Sequence, residues 1–72
     1  MTYDITLRVT DAETGELDDV YDFTLDIDGD IEEGTHWFFT ALFTALHTEV
    51  GDFEEYFGEN MDMEISDWRK MN

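Results

Sequence analysis

Cysteine is absent from the 72 residues, and with it go disulfide staples and thiolate zinc sites. Basic residues are nearly absent too: Lys and Arg number 3 against 20 Asp and Glu, a formal net charge of −17. A protein that binds nucleic acid by neutralising phosphates needs the opposite balance, so direct nucleic-acid binding is excluded. Docking on an anionic membrane leaflet is disfavoured on the same ground. Serine occurs once, at Ser66, and no glycine-rich phosphate loop is present. Carboxylate pairs are plentiful, but acid–base chemistry needs one raised pKa held in a pocket, and so small a domain has little volume for one. Neither catalysis nor a cofactor is expected. No apolar run approaches ~20 residues, and no cationic segment followed by an apolar one opens the chain, so the expectation is a soluble, cytoplasmic protein.

What is present is enough to fold. Hydrophobic residues make up 42% and aromatic residues 15%, too rich for a disordered acidic tail. One small domain over residues 1–72 is expected. It must fold against its own charge, a cost tolerated where the charge serves another end.

The hydrophobic pattern lays out the elements. Tyr3, Ile5, Leu7 and Val9 alternate with Thr2, Asp4, Thr6, Arg8 and Thr10, the period-two signature of a half-buried strand. Asp11 to Glu16, with Gly15 free to take positive φ, reads as a hairpin turn. A second strand places Tyr21, Phe23, Leu25 and Ile27 inward and Asp22, Thr24, Asp26 and Asp28 outward. Carrying that parity back would aim Asp19 at the core, so a bulge or a loose entry is expected near Asp18 and Asp19. Asp30 with Glu33 looks like a capping box, and Thr35 is a rival N-cap. The helix that follows buries Phe38, Ala41, Leu42, Ala45 and Leu46, while His36, Thr40, Thr44 and His47 share the opposite side. Glu49 would interrupt the apolar stripe, so the helix should end or fray near Thr48, with Gly51 as a stop. Asp52 and Glu55 cap a short second helix over Phe53, Tyr56 and Phe57. Met61, Met63 and Ile65 then alternate with Asp62, Glu64 and Ser66 as a third strand, and Trp68 breaks its parity.

Strand, strand, helix, short helix, strand gives an α+β fold. A crossover from the second strand lays the third beside the first, so the expected sheet is antiparallel in the order 2-1-3. The main helix covers one face. The burial such a small core offers barely exceeds the conformational entropy lost on folding, and a homodimer or a tight partner would widen the margin.

In that arrangement the acidic residues are not scattered. The open sheet face carries Asp22, Asp26 and Asp28 on one edge and Asp62 and Glu64 on the other. Asp30, Glu32 and Glu33 extend one end, and Asp52, Glu54, Glu55 and Glu59 form a second cluster. Carboxylates two residues apart on a strand stand ~6.6 Å apart, close to the run of phosphates along a nucleic-acid strand. A fixed array of this kind can occupy a groove built for a phosphate backbone, gaining the same steering and counterion release.

In size, charge and mixed α/β build the chain resembles the small acidic inhibitors made by phages: anti-CRISPR proteins, anti-restriction proteins and uracil-DNA glycosylase inhibitors. Many of these mimic DNA. The resemblance covers the whole chain in composition and element order, with no shared motif, so it carries over no site residues. It implies a CRISPR effector or a restriction complex as partner, in a bacterial cytoplasm.

Three other readings bear on the same residues. An EF-hand counted from Asp26 fails, because Ile31 stands where the loop needs glycine and Trp37 where it needs glutamate. An acidic strand end accounts for Asp26, Asp28 and Asp30 without a metal. A halophilic origin would explain abundant acid, nine threonines and a single lysine (Lys70), and predicts unfolding in dilute salt. Finally, Trp37, Phe39, Phe43 and Trp68 could form an apolar patch for dimerisation or partner docking, making the chain an interaction module without mimicry.

Overall fold

The alternation of the first ten residues produces strand β1, Thr2–Asp11, and its odd members Tyr3, Ile5, Leu7 and Val9 are all buried. The Asp11 carboxylate accepts backbone N–H bonds from Glu13 (2.8 Å) and Thr14 (3.2 Å), and Gly15 closes the turn at φ +74°. The chain returns as β2, Leu17–Asp26. Val9 pairs with Asp19 and Thr10 with Leu17, so Asp18 is the extra residue of a bulge; Asp19 keeps its phase opposite Val9 and is nonetheless exposed near the hairpin.

A computed structural model describes residues 1–71 and shows the α+β architecture expected: an antiparallel sheet ordered β2-β1-β3, helix α1 (His36–Val50), short helix α2 (Phe53–Phe57) and strand β3 (Met61–Lys70). Phe38, Leu42 and Leu46 of α1 and Phe57 of α2 complete the core with Leu25 and Ile65. Burying such a side chain is worth about 1.5–3 kcal/mol. Tyr21 and Phe23 of the edge strand β2 are half-buried, with their rings against Phe57.

Two expectations about α1 need correction. Asp30 and Glu33 do not cap it. Gly34 takes φ +83°, which breaks any helix begun earlier, and Thr35 is the N-cap, its hydroxyl accepting from the Phe38 N–H at 3.2 Å. Nor does α1 stop at Thr48. The last turn passes beyond Leu46, the final buried member of the stripe, so Glu49 stays in water and helix geometry continues to Val50. Gly51 then ends it at φ +79°, donating its N–H to the His47 carbonyl.

The parity break at Trp68 has a local cause. Leu7 pairs with Ile65 and Thr6 with Asp67, leaving Ser66 as the extra residue of a second bulge. Ile65 and Trp68 therefore both face the helix layer, and the strand runs on to Lys70. Trp68 packs edge-on against Phe38 and Phe39 at 5.4 Å. No helix is long and apolar enough to cross a membrane.

Candidate functional site

The face of the sheet away from the helices is built in rows across three strands. Asp26 lies beside Thr2, Thr6 lies between Asp22 and Asp67, Arg8 beside Glu64, and Thr10 beside Asp62. Asp4 sits between Thr24 and Arg69. Six carboxylates thus share this face with two guanidinium groups, a balance of 2 − 6 = −4. Most of the acid stands on the two edge strands, about 10 Å apart at ordinary strand spacing, with the threonine-rich central strand between them. The groove widths of B-DNA, about 6 and 12 Å, bracket that separation.

The central threonines hold the β2 row. Thr6 Oγ1 donates to Asp22 Oδ1 at 3.2 Å and Thr2 Oγ1 to Asp26 Oδ1 at 3.4 Å, so two carboxylates are oriented by the neighbouring strand. On β3 the corresponding hydroxyls go to backbone instead, Thr10 to the Asp62 carbonyl and Ser66 to the Thr6 carbonyl. In the β3 row the Asp67 carboxylate is held by its neighbour, accepting the Trp68 backbone N–H at 2.9 Å. Two surface ion pairs trim the field: the terminal amine with Asp26 at 3.3 Å, and Arg69 with Asp4 at 3.6 Å. Both are solvent-facing, and pairs of this kind are worth about 0–1 kcal/mol.

Not every expected residue joins the array. Asp22, Asp26, Asp62 and Glu64 do. Asp28 lies beyond the last residue of β2, because the strand closes at Asp26 and the chain turns at Gly29. Asp30 and Glu32 are exposed on the connection to α1. Glu33 belongs to the other side of the sheet, where its carboxylate accepts the Trp68 indole N–H at 3.1 Å and so serves packing. In the second cluster, Asp52 caps α2 through the Glu54 N–H at 2.9 Å, while Glu54, Glu55 and Glu59 stay exposed.

Asp67 is the residue that alternation from Met61 misses, since only the Ser66 bulge turns it to the open face. A tryptophan out of phase with an otherwise regular strand was the available signal. The exposed acids around the hairpin, Glu13, Glu16, Asp18 and Asp19, make a further electronegative end.

The expected apolar patch divides. Phe39 packs on Trp68 and, with Phe43, lines a shallow groove along α1. Trp37 stands apart at 72% exposure. Among the described residues no three His, Asp or Glu side chains converge to hold a metal. Comparison with known protein families, curated proteins and solved structures finds no match to this chain.

Proposed function

We propose that this protein is an inhibitor that presents carboxylates in place of phosphates and blocks the nucleic-acid groove of a bacterial defence complex, a CRISPR effector first and a restriction or repair enzyme second. The observation that carries this reading is the pair of acidic rows on one sheet face, with Asp22 and Asp26 fixed by Thr6 and Thr2. An array already oriented loses little freedom on binding, so electrostatic attraction is not offset by ordering. The inhibitor acts as a competitive decoy and needs no bond-making chemistry. Its resemblance in charge and size to phage inhibitors points the same way and gives the host cytoplasm as its site of action.

The distribution of charge also favours mimicry over a halophilic coat. An acidic shell that serves hydration has no reason to leave one side bare, yet no Asp or Glu occurs from Gly34 through Thr48. Competition tests the proposal. Labelled duplex DNA bound to guide-loaded CRISPR complexes, and to restriction enzymes, is titrated with the protein. Displacement is expected for at least one target, and it should weaken at least tenfold when Asp22, Asp26, Asp62 and Glu64 become Asn and Gln. Displacement untouched by those four changes would overturn the proposal.

A further inference from the structure

The outer side of α1 differs from the rest of the surface. In a chain of charge −17, the fifteen residues from Gly34 through Thr48 contain no Asp, Glu, Lys or Arg. Within them His36, Phe39, Thr40, Phe43, Thr44 and His47 line one open groove along the helix. The Thr44 hydroxyl bonds back to the Thr40 carbonyl at 2.9 Å, so it is already satisfied within the helix. Trp37, the most exposed large apolar side chain described, flanks this stripe. Trp68 touches Phe39 and Phe53 touches His47 at its edges, while Trp37, Thr40 and Thr44 stay exposed.

The spacing is self-complementary. His-x-x-Phe-Thr-x-x-Phe-Thr-x-x-His runs from position 36 to 47. A two-fold axis crossing between Ala41 and Leu42 exchanges His36 with His47, Phe39 with Thr44, and Thr40 with Phe43. Each phenylalanine of one helix then meets a small threonine of the other, which is the arrangement an isologous contact requires.

We infer that a second copy of this chain covers this face, α1 packing antiparallel on α1. Charge favours this face: the open sheet face, the hairpin end and the segment around α2 all carry exposed carboxylates, so two copies meet least repulsion here. The size is modest. Two helices about 22 Å long and 10–12 Å wide bury on the order of 1,000 Å² together, the low end of specific interfaces. The inference is independent of the decoy reading, and the dimer leaves both open sheet faces outward.

The electrostatics set a distinctive sign. Glu33 and Glu49 bound the neutral stretch, so each copy's Glu33 confronts the other's Glu49 at the two ends of the contact. Salt screens this repulsion and that of the whole −17 charge, and should therefore tighten the dimer, whereas it weakens a decoy's grip on a basic target.

Sedimentation equilibrium of the full chain in about 50 mM and about 1 M NaCl reads this directly, the Debye length falling several-fold between them. The apparent mass should climb with protein concentration from 8.5 kDa toward twice that value. Dissociation constants should fall at least tenfold in the higher salt. Thr40→Glu, on an exposed helical position, should abolish association while the far-UV spectrum stays unchanged. The Asn and Gln changes at Asp22, Asp26, Asp62 and Glu64 should leave the dimer intact or tighten it. A monomer at every salt and concentration, or a dimer indifferent to Thr40→Glu, would overturn the inference whether or not DNA displacement is observed.

Discussion

The Trp68–Glu33 hydrogen bond shows how one residue can leave the functional surface and join the scaffold. Glu33 sits in an acidic run that reads from sequence as part of the array, yet its carboxylate anchors an indole against α1. Glu33→Ala should lower stability by about 1 kcal/mol, the usual worth of such a bond, and Glu33→Gln should restore most of it because the amide oxygen still accepts. Urea titration followed by tryptophan fluorescence measures both. The tyrosines add a pH signature. Burial first, then the Glu33 carboxylate, raises Tyr3 above its ordinary value near 10; burial, then Asp19, Asp18 and Tyr56, raises Tyr21. The unfolded chain therefore releases these phenol protons first. Stability is intact below about pH 10 and declines as pH rises through the folded values. Urea midpoints from about pH 8 to 11 should fall only at the alkaline end, and Tyr21→Phe should soften the fall.

At the scale of elements, strands and sheet order are legible because alternation and antiparallel parity leave few alternatives. Tyr3 to Val9 and Tyr21 to Ile27 must share a face, and the acidic run at Asp18 and Asp19 marks where the regular pairing ends. The bulge at Ser66 is harder to read. A single serine does not disturb a hydrophobic pattern, so only Trp68 betrays the shift, and Asp67 is missed with it. The start of α1 misleads for a different reason: Asp30 and Glu33 have capping spacing, but the positive φ of Gly34 stands between them and the helix. These pairings make deletions informative. Removing Ser66 should leave a cooperative fold, since Ile65, Asp67 and Trp68 keep their partners on β1. Removing Glu64 slips Asp62 and Met63 to the wrong faces and should cost several kcal/mol, as exposing Met63 and burying a carboxylate both oppose folding. Thr35→Ala should cost about 1 kcal/mol through the lost cap. Chemical denaturation of the three variants tests the pairing and the cap together.

For the molecule as a whole, charge opposes folding and organises recognition. Twenty carboxylates on 72 residues repel one another, and the described residues hold only two ion pairs for salt to weaken, so added salt should raise the melting temperature. The protein should nevertheless remain folded in dilute buffer, where a halophilic protein would lose its far-UV signal. Acidity also leaves a neutral face on α1, and the two surfaces answer salt with opposite sign. The central claim is that the carboxylate rows of the open sheet face are what a basic target recognises. Its most direct test is the slope of log affinity against log salt for a target whose DNA the protein displaces. The wild-type slope should be steeply negative, and Asn and Gln at Asp22, Asp26, Asp62 and Glu64 should flatten it by about one unit for each carboxylate that replaces a phosphate. Equal slopes for the two proteins would contradict the account.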